Sequence, residues 1–287
     1  MTDPFLAHRS LLFTVAYEML GSAADAEDVV QETWLRWADA DQSEVRDPRA
    51  YLVRIVTRQS LNRLRTLARR REDYVGEWLP EPLLTTPDVA DDVELAESVS
   101  MAMLTVLETL TPTERAVFVL REVFDVPYEE IAAALDKSAA AVRQTAHRAR
   151  EHVAARRPRR QVDRSEQRVV ERFLAALSTG DVQGLMEVLA PEVVVVADGG
   201  GLVAAARHPI AGADKVVAFL SKFAALAPTA VVDTVWLNGA LGGRIVLDGK
   251  LDTVISFVLD DGRISRMYAV RNPHKLGRLN EEAVIAR

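Results

Sequence analysis

The sequence predicts two architectures in one chain: an all-α amino-terminal half that ends in a helix-turn-helix, and an α+β cone after it. Three observations predict this. TPTE at Thr111 to Glu114 puts a capping hydroxyl, a first-turn proline and a back-reaching carboxylate in capping-box order. Before about residue 157 apolar residues recur at spacings of three and four, whereas beyond residue 163 strand-like runs are separated by Asn-Gly and Asp-Gly turns. A length of 287 residues suits about two domains of roughly 150 each, and 49% hydrophobic residues supply both cores.

Residues 5–20 read as a first helix with Leu6, Leu12, Phe13, Ala16 and Leu20 inward, stopped by Gly21. A second starts at Ser22 or Asp25 and runs to about Ala38, with Ala26, Val29, Val30, Thr33, Trp34 and Trp37 as its apolar stripe. Asp28, Gln31, Glu32 and Leu35 then share the opposite face, which is either a solvated acidic surface or a dock for a basic partner helix with Leu35 at its dry centre. A polar loop, 39–47, leads to Pro48 and a long helix to about Arg71. Its stripe of Arg54, Arg58, Arg65 and Arg69, with Asn62 beside it and Tyr51 at the amino end, suits a splayed single strand, because phosphates take the charge and bases stack on the aromatic ring.

After TPTE comes a helix with Ala116, Val117, Leu120 and Val123 inward, a break at 125–127, and a short helix with Ile131, Ala132 and Leu135 inward. Asp136-Lys137 turns the chain, and Ser138 caps a longer helix whose Val142, Ala146, Ala149 and Val153 face the bundle. Ala140, Arg143, Gln144, His147 and Arg148 are left outward. Small residues at the amino end admit that helix to a major groove, where Arg143 and Gln144 can meet base edges while Arg148 and Arg150 meet phosphate; on spacing alone an arginine-rich solvated helix fits equally.

The net charge of −7 hides a segregation. Residues 49–71 hold eight arginines and no acid, 72–100 nine acids and no base, and 137–160 eight bases against Glu151. Two polyanion-binding surfaces joined by an acidic connector are the expected meaning. With no cysteine and five scattered histidines, no disulfide or thiolate site is possible and no metal or other cofactor is expected. No apolar run nears the ~20 residues of a membrane span, and MTDPFLAHRS lacks the form of a signal peptide, so a cytoplasmic protein without a membrane partner is expected.

DAEDVVQETWLRW at 25–37, PRAYLVRIVTRQSLNRLR after it, and VRQTAHRAREHV in the helix-turn-helix resemble regions two and four of the extracytoplasmic-function (ECF) sigma factors of bacterial RNA polymerase. WLPEPL at 78–83 resembles the linker motif of their sigma-J-like subgroup, which carries a carboxyl-terminal SnoaL-like domain. The resemblance implies sigma region 2 at 1–72, an acidic linker at 73–100, region 4 at 101–157 and a SnoaL-like regulatory domain at 163–287. It also implies that Asp28, Gln31, Glu32 and Leu35 dock on the clamp of the largest subunit of the polymerase core. Tyr51, Arg54, Arg58, Asn62 and Arg65 then meet the melted −10 element of promoter DNA, and the 39–47 loop lies where the family captures a flipped base. Arg143, Gln144, His147, Arg148 and Arg150 read the −35 element.

The linker prolines Pro80, Pro82 and Pro87 predict extended chain to about Asp88. Its Trp78, Leu79 and Leu83 need burial, for which the SnoaL-like domain is the favoured dock. After the connector RRPRRQVDRS, helices are expected at 165–178, 182–190 and 214–226, and strands within EVVVVADGGG and at 230–237, 242–247, 252–259 and 264–270. The resemblance makes Trp78, Leu79, Pro80, Glu81 and Pro82, the DGGG run Asp198, Gly199, Gly200 and Gly201, and the NPHKL run Asn272, Pro273, His274, Lys275 and Leu276 the intramolecular regulatory contacts. Leu202 stands where the family commonly has a lysine, and His274 where it has an aspartate.

A cone of this kind usually holds a pocket. Asp198, His208, Asn238, Arg244, Asp252, Tyr268 and Arg271 are its candidate polar lining, and an aspartate with a histidine can serve general acid–base chemistry, as in polyketide cyclases of the fold. Fold alone does not confer that activity. The reading of the whole chain is therefore an alternative sigma factor with no catalytic residue, modulated in cis by its last domain; the rivals are a DNA-binding protein fused to a SnoaL-like cyclase or isomerase, and a factor that binds duplex DNA without polymerase.

Overall fold

The computed structural model describes residues 3–72, 74–156 and 164–287, with the side chains of 68–72, 164, 165, 223 and 224 left aside. The side chain of Arg69 of the predicted stripe and most of the second connector therefore lie outside the described residues.

Helix α1 (Pro4–Leu20) is capped by Asp3 and stopped at Gly21, which takes a left-handed φ of 67° and closes the helix through its N–H on Tyr17. Every residue from Leu11 to Leu20 is buried, so α1 is the axial helix of the bundle, wrapped on all sides. Around it pack α2 (Ala23–Ala38) and α3 (Pro48–Glu72). The 87–91 stretch makes a 3-10 turn, followed by the short helices α4 (Val93–Ser98) and α5 (Met101–Leu107). Helix α6 (Pro112–Phe118) starts on the capping box expected of Thr111 and Glu114, both halves of which form. A π turn over Val119–Val123 leads to α7 (Tyr128–Leu135), and Asp136 at φ 53° turns the chain into α8 (Ala139–Ala154), capped by Ser138. One hydrophobic cluster runs without interruption from α1–α3 into α5–α8.

Two inward assignments need correction. Trp34 is 44% exposed, because the buried positions Ala26, Val29, Val30, Thr33 and Trp37 already complete the stripe and Trp34 lies a further step around the helix. Leu6 is 61% exposed, because Phe5 takes the inward place in the first turn, before the bundle closes around α1 at Leu11.

The second half opens with α9 (Arg164–Thr179) and α10 (Val182–Val188). Strand β1 (Leu189–Asp198) follows, then a two-residue strand β2 (Ile210–Ala211) that the sequence did not announce, and α11 (Ala213–Leu226). Strands β3 (Val231–Leu237), β4 (Ala240–Leu247), β5 (Lys250–Asp260) and β6 (Arg263–Val270) form an antiparallel meander. Each of its turns has the expected pair, Asn238-Gly239, Asp248-Gly249 or Asp261-Gly262, at positive φ, as type I′ hairpins require. Strand β1 joins parallel to β6, giving the order β2-β1-β6-β5-β4-β3. A last turn of helix, α12, spans Pro273–Leu276.

The sheet has two apolar faces. One takes α9, α10 and α11, with Phe173 set edge-on to Phe257 at 5.2 Å. Leu237, Val254, Val258, Tyr268 and Val270 form a second cluster with Leu79 of the linker and Met101 of α5. Residues 79–83 of the linker are thus buried between the two halves, while 75–76 and 91–94 stay exposed. The carboxyl end returns to the helical half: the Ala283 amide donates to the Leu84 carbonyl, the Ala286 amide to Thr14 Oγ1, and Arg287 pairs with Glu94.

Candidate promoter and polymerase interfaces and the linker junction

Asp28, Gln31, Glu32 and Leu35 are all exposed on one face of α2, with Leu35 51% exposed beside Trp34. Two large apolar side chains are therefore exposed on this helix, where the single leucine was expected. Asp28 is held at 2.9 Å by Arg63 of α3, which also donates to Asp25 at 2.6 Å; the hydrogen bond to Asp25 raises the guanidinium pKa.

On α3 the structure brings together Tyr51, Arg54, Arg58, Asn62 and Arg65. Tyr51 is half-buried, tilted against Trp37 at 5.9 Å, with the Arg54 guanidinium 5.3 Å from its ring centre. Arg54 and Tyr51 line one open hollow together with the 40–47 loop and Glu130 and Ala133 of α7. Arg65 Nη1 donates to the Asn62 side-chain oxygen Oδ1 at 3.5 Å. Arg58 turns to α7, donating from Nε to the Ala134 carbonyl and from Nη2 to that of Ala133, each at 3.0 Å.

Val142, Ala146, Ala149 and Val153 of α8 are buried to 2% or less, which leaves Arg143, Gln144, His147, Arg148 and Arg150 exposed together as the spacing requires. Arg143 lies 3.6 Å from Glu129, Arg148 3.5 Å from Glu114 and Arg150 3.2 Å from Glu122. Exposed pairs at these distances are weak.

At the linker junction the WLPEPL motif faces both halves at once. Glu81 is buried, and its carboxylate accepts from Ser22 Oγ at 3.0 Å, Ala23 N at 2.9 Å and Ala24 N at 3.3 Å, so the linker caps the amino end of α2. Burial raises its pKa, against those same hydrogen bonds. Tyr17 of α1 donates to the Glu81 carbonyl at 2.7 Å and accepts at 2.8 Å from the Asn238 amide, which also donates to the Val99 carbonyl. Asn238 in turn pairs with Leu83 through side chain and main chain, so one hairpin residue ties β3, linker and α1 together. Glu81→Ala is expected to destabilise the chain by about 2 kcal/mol in urea unfolding, and Glu81→Gln, which keeps an acceptor, by clearly less.

Asp198, at the end of β1, is the opposite anchor. It is wholly buried, and its carboxylate accepts from Tyr74 Oη at 2.5 Å, Leu79 N at 3.0 Å, Lys275 Nζ at 2.7 Å and Gly200 N at 2.9 Å. Lys275 also donates to the Leu79 carbonyl and stands 3.3 Å above the centre of the Trp78 ring. Asn272 caps α12 and donates to Tyr74 Oη at 2.8 Å. Burial first, then its bond to Asp198, drives the Tyr74 phenol pKa upward. Gly200 has φ 64°, and a Cβ there would lie 2.4 Å from the Asn272 amide nitrogen, so this glycine is dictated by both backbone and packing. Leu79 is 1% and Leu83 4% exposed; Leu79 joins the sheet cluster and Leu83 the helical one. Leu202 and His274 are both exposed, away from this anchor.

The seven polar residues proposed to line a pocket do not converge. Asp198 and Asn238 are spent on the linker, Arg271 pairs with Asp252 at 2.8 Å, Arg244 with Asp233 at 3.3 Å, Tyr268 is buried in the outer cluster and His208 stands exposed on a loop. Sequence reasoning missed Tyr17, Glu18, Tyr74, Ser98 and Arg115. The available signal was TVAYEML, a tyrosine and an acid inside a run that is otherwise almost wholly apolar.

A three-helix unit joined through a docked linker to a helix-turn-helix is the arrangement of a sigma factor. The model of Sigma-70 region 2 matches residues 5–70, and that of Sigma-70, region 4 matches 100–153. The chain is 38% identical to "ECF RNA polymerase sigma factor SigJ" of Mycobacterium tuberculosis, over 94% of this chain and 91% of that one. It is 32% identical to the "Probable ECF RNA polymerase sigma factor SigI" of the same species, over 96% and 94%. The crystal structure of M. tuberculosis SigJ superposes with a TM-score of 0.79 at 35% identity, covering 96% of this chain and 97% of that chain. The chain belongs to the ECF sigma factors, and its carboxyl-terminal α+β domain has the SnoaL-like form. Sigma factors bind RNA polymerase core and promoter DNA.

Proposed function

We propose that α2 grips the coiled-coil clamp of the largest polymerase subunit through Asp28, Gln31, Glu32 and Leu35. Tyr51, Arg54, Arg58, Asn62 and Arg65 of α3 hold the melted −10 strand, with the 39–47 loop beside them to take a flipped base. Arg143, Gln144, His147 and Arg148 of α8 read the −35 duplex while Arg150 steadies phosphate. The carboxyl-terminal domain modulates this in cis, through the WLPEPL linker that Asp198, Lys275 and Asn238 hold. The chain acts in the cytoplasm and supplies recognition, with no chemical step of its own. One observation carries the reading: an acidic apolar-centred face and two arginine-rich faces stand exposed on three separate helices of a single bundle.

Run-off transcription with core polymerase tests it. Glu32→Lys is expected to weaken core binding about tenfold or more, since a like charge then meets the basic partner helix. Arg143→Ala is expected to keep core affinity and lose about 1–3 kcal/mol of discrimination between cognate and altered −35 sequences. Equal core affinity of wild type and Glu32→Lys in a pull-down titration counts against the face assigned to α2.

A further inference from the structure

Where α4 and α5 of the helical half meet the β3–β4 hairpin, the two halves of the chain leave a half-enclosed cleft of about 250 Å³. It is separate from the interior of the cone, which the cluster around Phe173 and Val216 occupies. Met101 and Met103 of α5, both buried, stand on one side of the cleft, and Trp236 of β3 and Phe257 of β5, both half-buried, on the other. Thioether and aromatic walls suit a flat apolar body. A volume below the roughly 300–1,000 Å³ of drug-sized sites keeps that body small.

The charge of the lining has one sign. Asp91 and Glu97 come from the acidic linker and Glu166 from the first turn of α9, and no lysine, arginine or histidine stands among the described lining residues. Carboxylates around a half-enclosed, partly apolar cleft focus their field there and concentrate cations. Ser256 adds a neutral polar group. It lies on β5 between Val254 and Val258, which both join the buried outer cluster, at a place where strand alternation calls for a third apolar side chain. Among the described residues its Oγ makes no hydrogen bond, so the hydroxyl is available to a ligand.

We propose that this cleft binds a small organic cation, an ammonium or guanidinium group carried on a flat apolar body. The carboxylates take the charge, Trp236 and Phe257 take the body, and Ser256 fixes its orientation by one hydrogen bond. A neutral relative of the same shape forgoes the attraction, and an anionic one meets repulsion. Because both halves of the chain line the cleft, the ligand stabilises the whole folded chain by mass action and not the carboxyl-terminal domain alone.

Titration calorimetry of the full-length chain with tryptamine tests this, beside tryptophol and indole-3-propionate, which keep the ring and put a hydroxyl or a carboxylate in place of the ammonium. Tryptamine is expected to saturate a single site at millimolar concentration or below and to raise the thermal unfolding midpoint. Tryptophol is expected to bind about tenfold or more weakly, and indole-3-propionate not to bind. Glu97→Gln/Glu166→Gln is expected to weaken tryptamine about tenfold or more and to narrow its advantage over tryptophol. Ala102→Phe fills the cleft from α5 and Ser256→Phe from the sheet, so each is expected to abolish binding, and either serves if the other does not fold. Equal affinity for tryptamine and tryptophol, or for tryptamine in wild type and the double glutamine variant, overturns the role of the carboxylates. Undiminished binding by a folded Ala102→Phe or Ser256→Phe chain overturns the location, and no saturable binding of tryptamine overturns the proposal outright. Core binding and run-off transcription by the same preparation report separately on α2, α3 and α8, so either reading can fail without the other.

Discussion

Asp198→Ala is expected to cost the folded chain about 3–5 kcal/mol, because it strips a buried lysine of its counter-charge. The magnitude follows from the site: Lys275 is 8% and Asp198 0% exposed at side-chain level, and the same carboxylate also satisfies the Leu79 and Gly200 amides and the Tyr74 hydroxyl. Urea unfolding measures the loss. Partial restoration is expected from the double variant Asp198→Ala/Lys275→Met, which removes the orphaned charge while keeping a long apolar stem over Trp78. If the double variant is no more stable than the single one, the loss does not come from the uncompensated ammonium. The break should be local first, with Tyr74 and Trp78 released together, so their fluorescence is expected to change below the main transition.

The second large effect concerns pH. Burial pushes the Glu18 carboxyl up to about 8, with the Ser98 hydrogen bond and Arg115 pulling the other way. The folded chain then holds a proton on Glu18 that the unfolded chain has already lost above about pH 4.5. Stability contributed by this group is full at pH 4 and is lost as pH rises to about 8, with a slope near 1.36 kcal/mol per pH unit and a total of about 5 kcal/mol at most. Glu18→Gln keeps an acceptor for Ser98 and cannot ionise. The difference in unfolding free energy between wild type and Glu18→Gln is therefore expected to widen in favour of the variant between pH 5 and pH 8; a constant difference across that range would sink the assignment.

What the sequence made legible was local. Thr111 and Glu114 announce their cap within four residues, the α8 stripe repeats at three and four, and each hairpin turn is written as an adjacent pair, because in all three cases the determining contacts are between neighbours in the chain. The three exposed faces of the candidate site follow from the same periodicity, and Trp34 was misplaced only because a stripe's margin depends on what packs beside it. The linker anchors are of another kind. Asn238 meets Tyr17 across 221 residues, and Lys275 meets Leu79 across 196, with no pattern to connect them. Asn238-Gly239 reads correctly as a turn, yet its side chain does a second job that only the docking of β3 against α1 assigns. The resemblance placed Glu81 among the intramolecular contacts, but its partners, Ser22 and the first amides of α2, could not be read from the motif. The motif resemblance located Leu79, Glu81 and Lys275 but neither Tyr17 nor Asn238; the reason each is needed lies in contacts between distant parts of the chain.

The shared burial of Leu79 and Leu83 changes what a deletion can reveal. A chain cut after the helix-turn-helix does not present the promoter-binding half in its ordinary state without a controller. It presents Leu79 stripped of the sheet cluster that buries it, together with a Tyr17 hydroxyl that has lost the amide feeding it. Any gain or loss of transcription in such a truncated protein therefore mixes relief of control with damage to the platform, and substitutions at Asn238 or Lys275 in the full-length chain are the cleaner instrument.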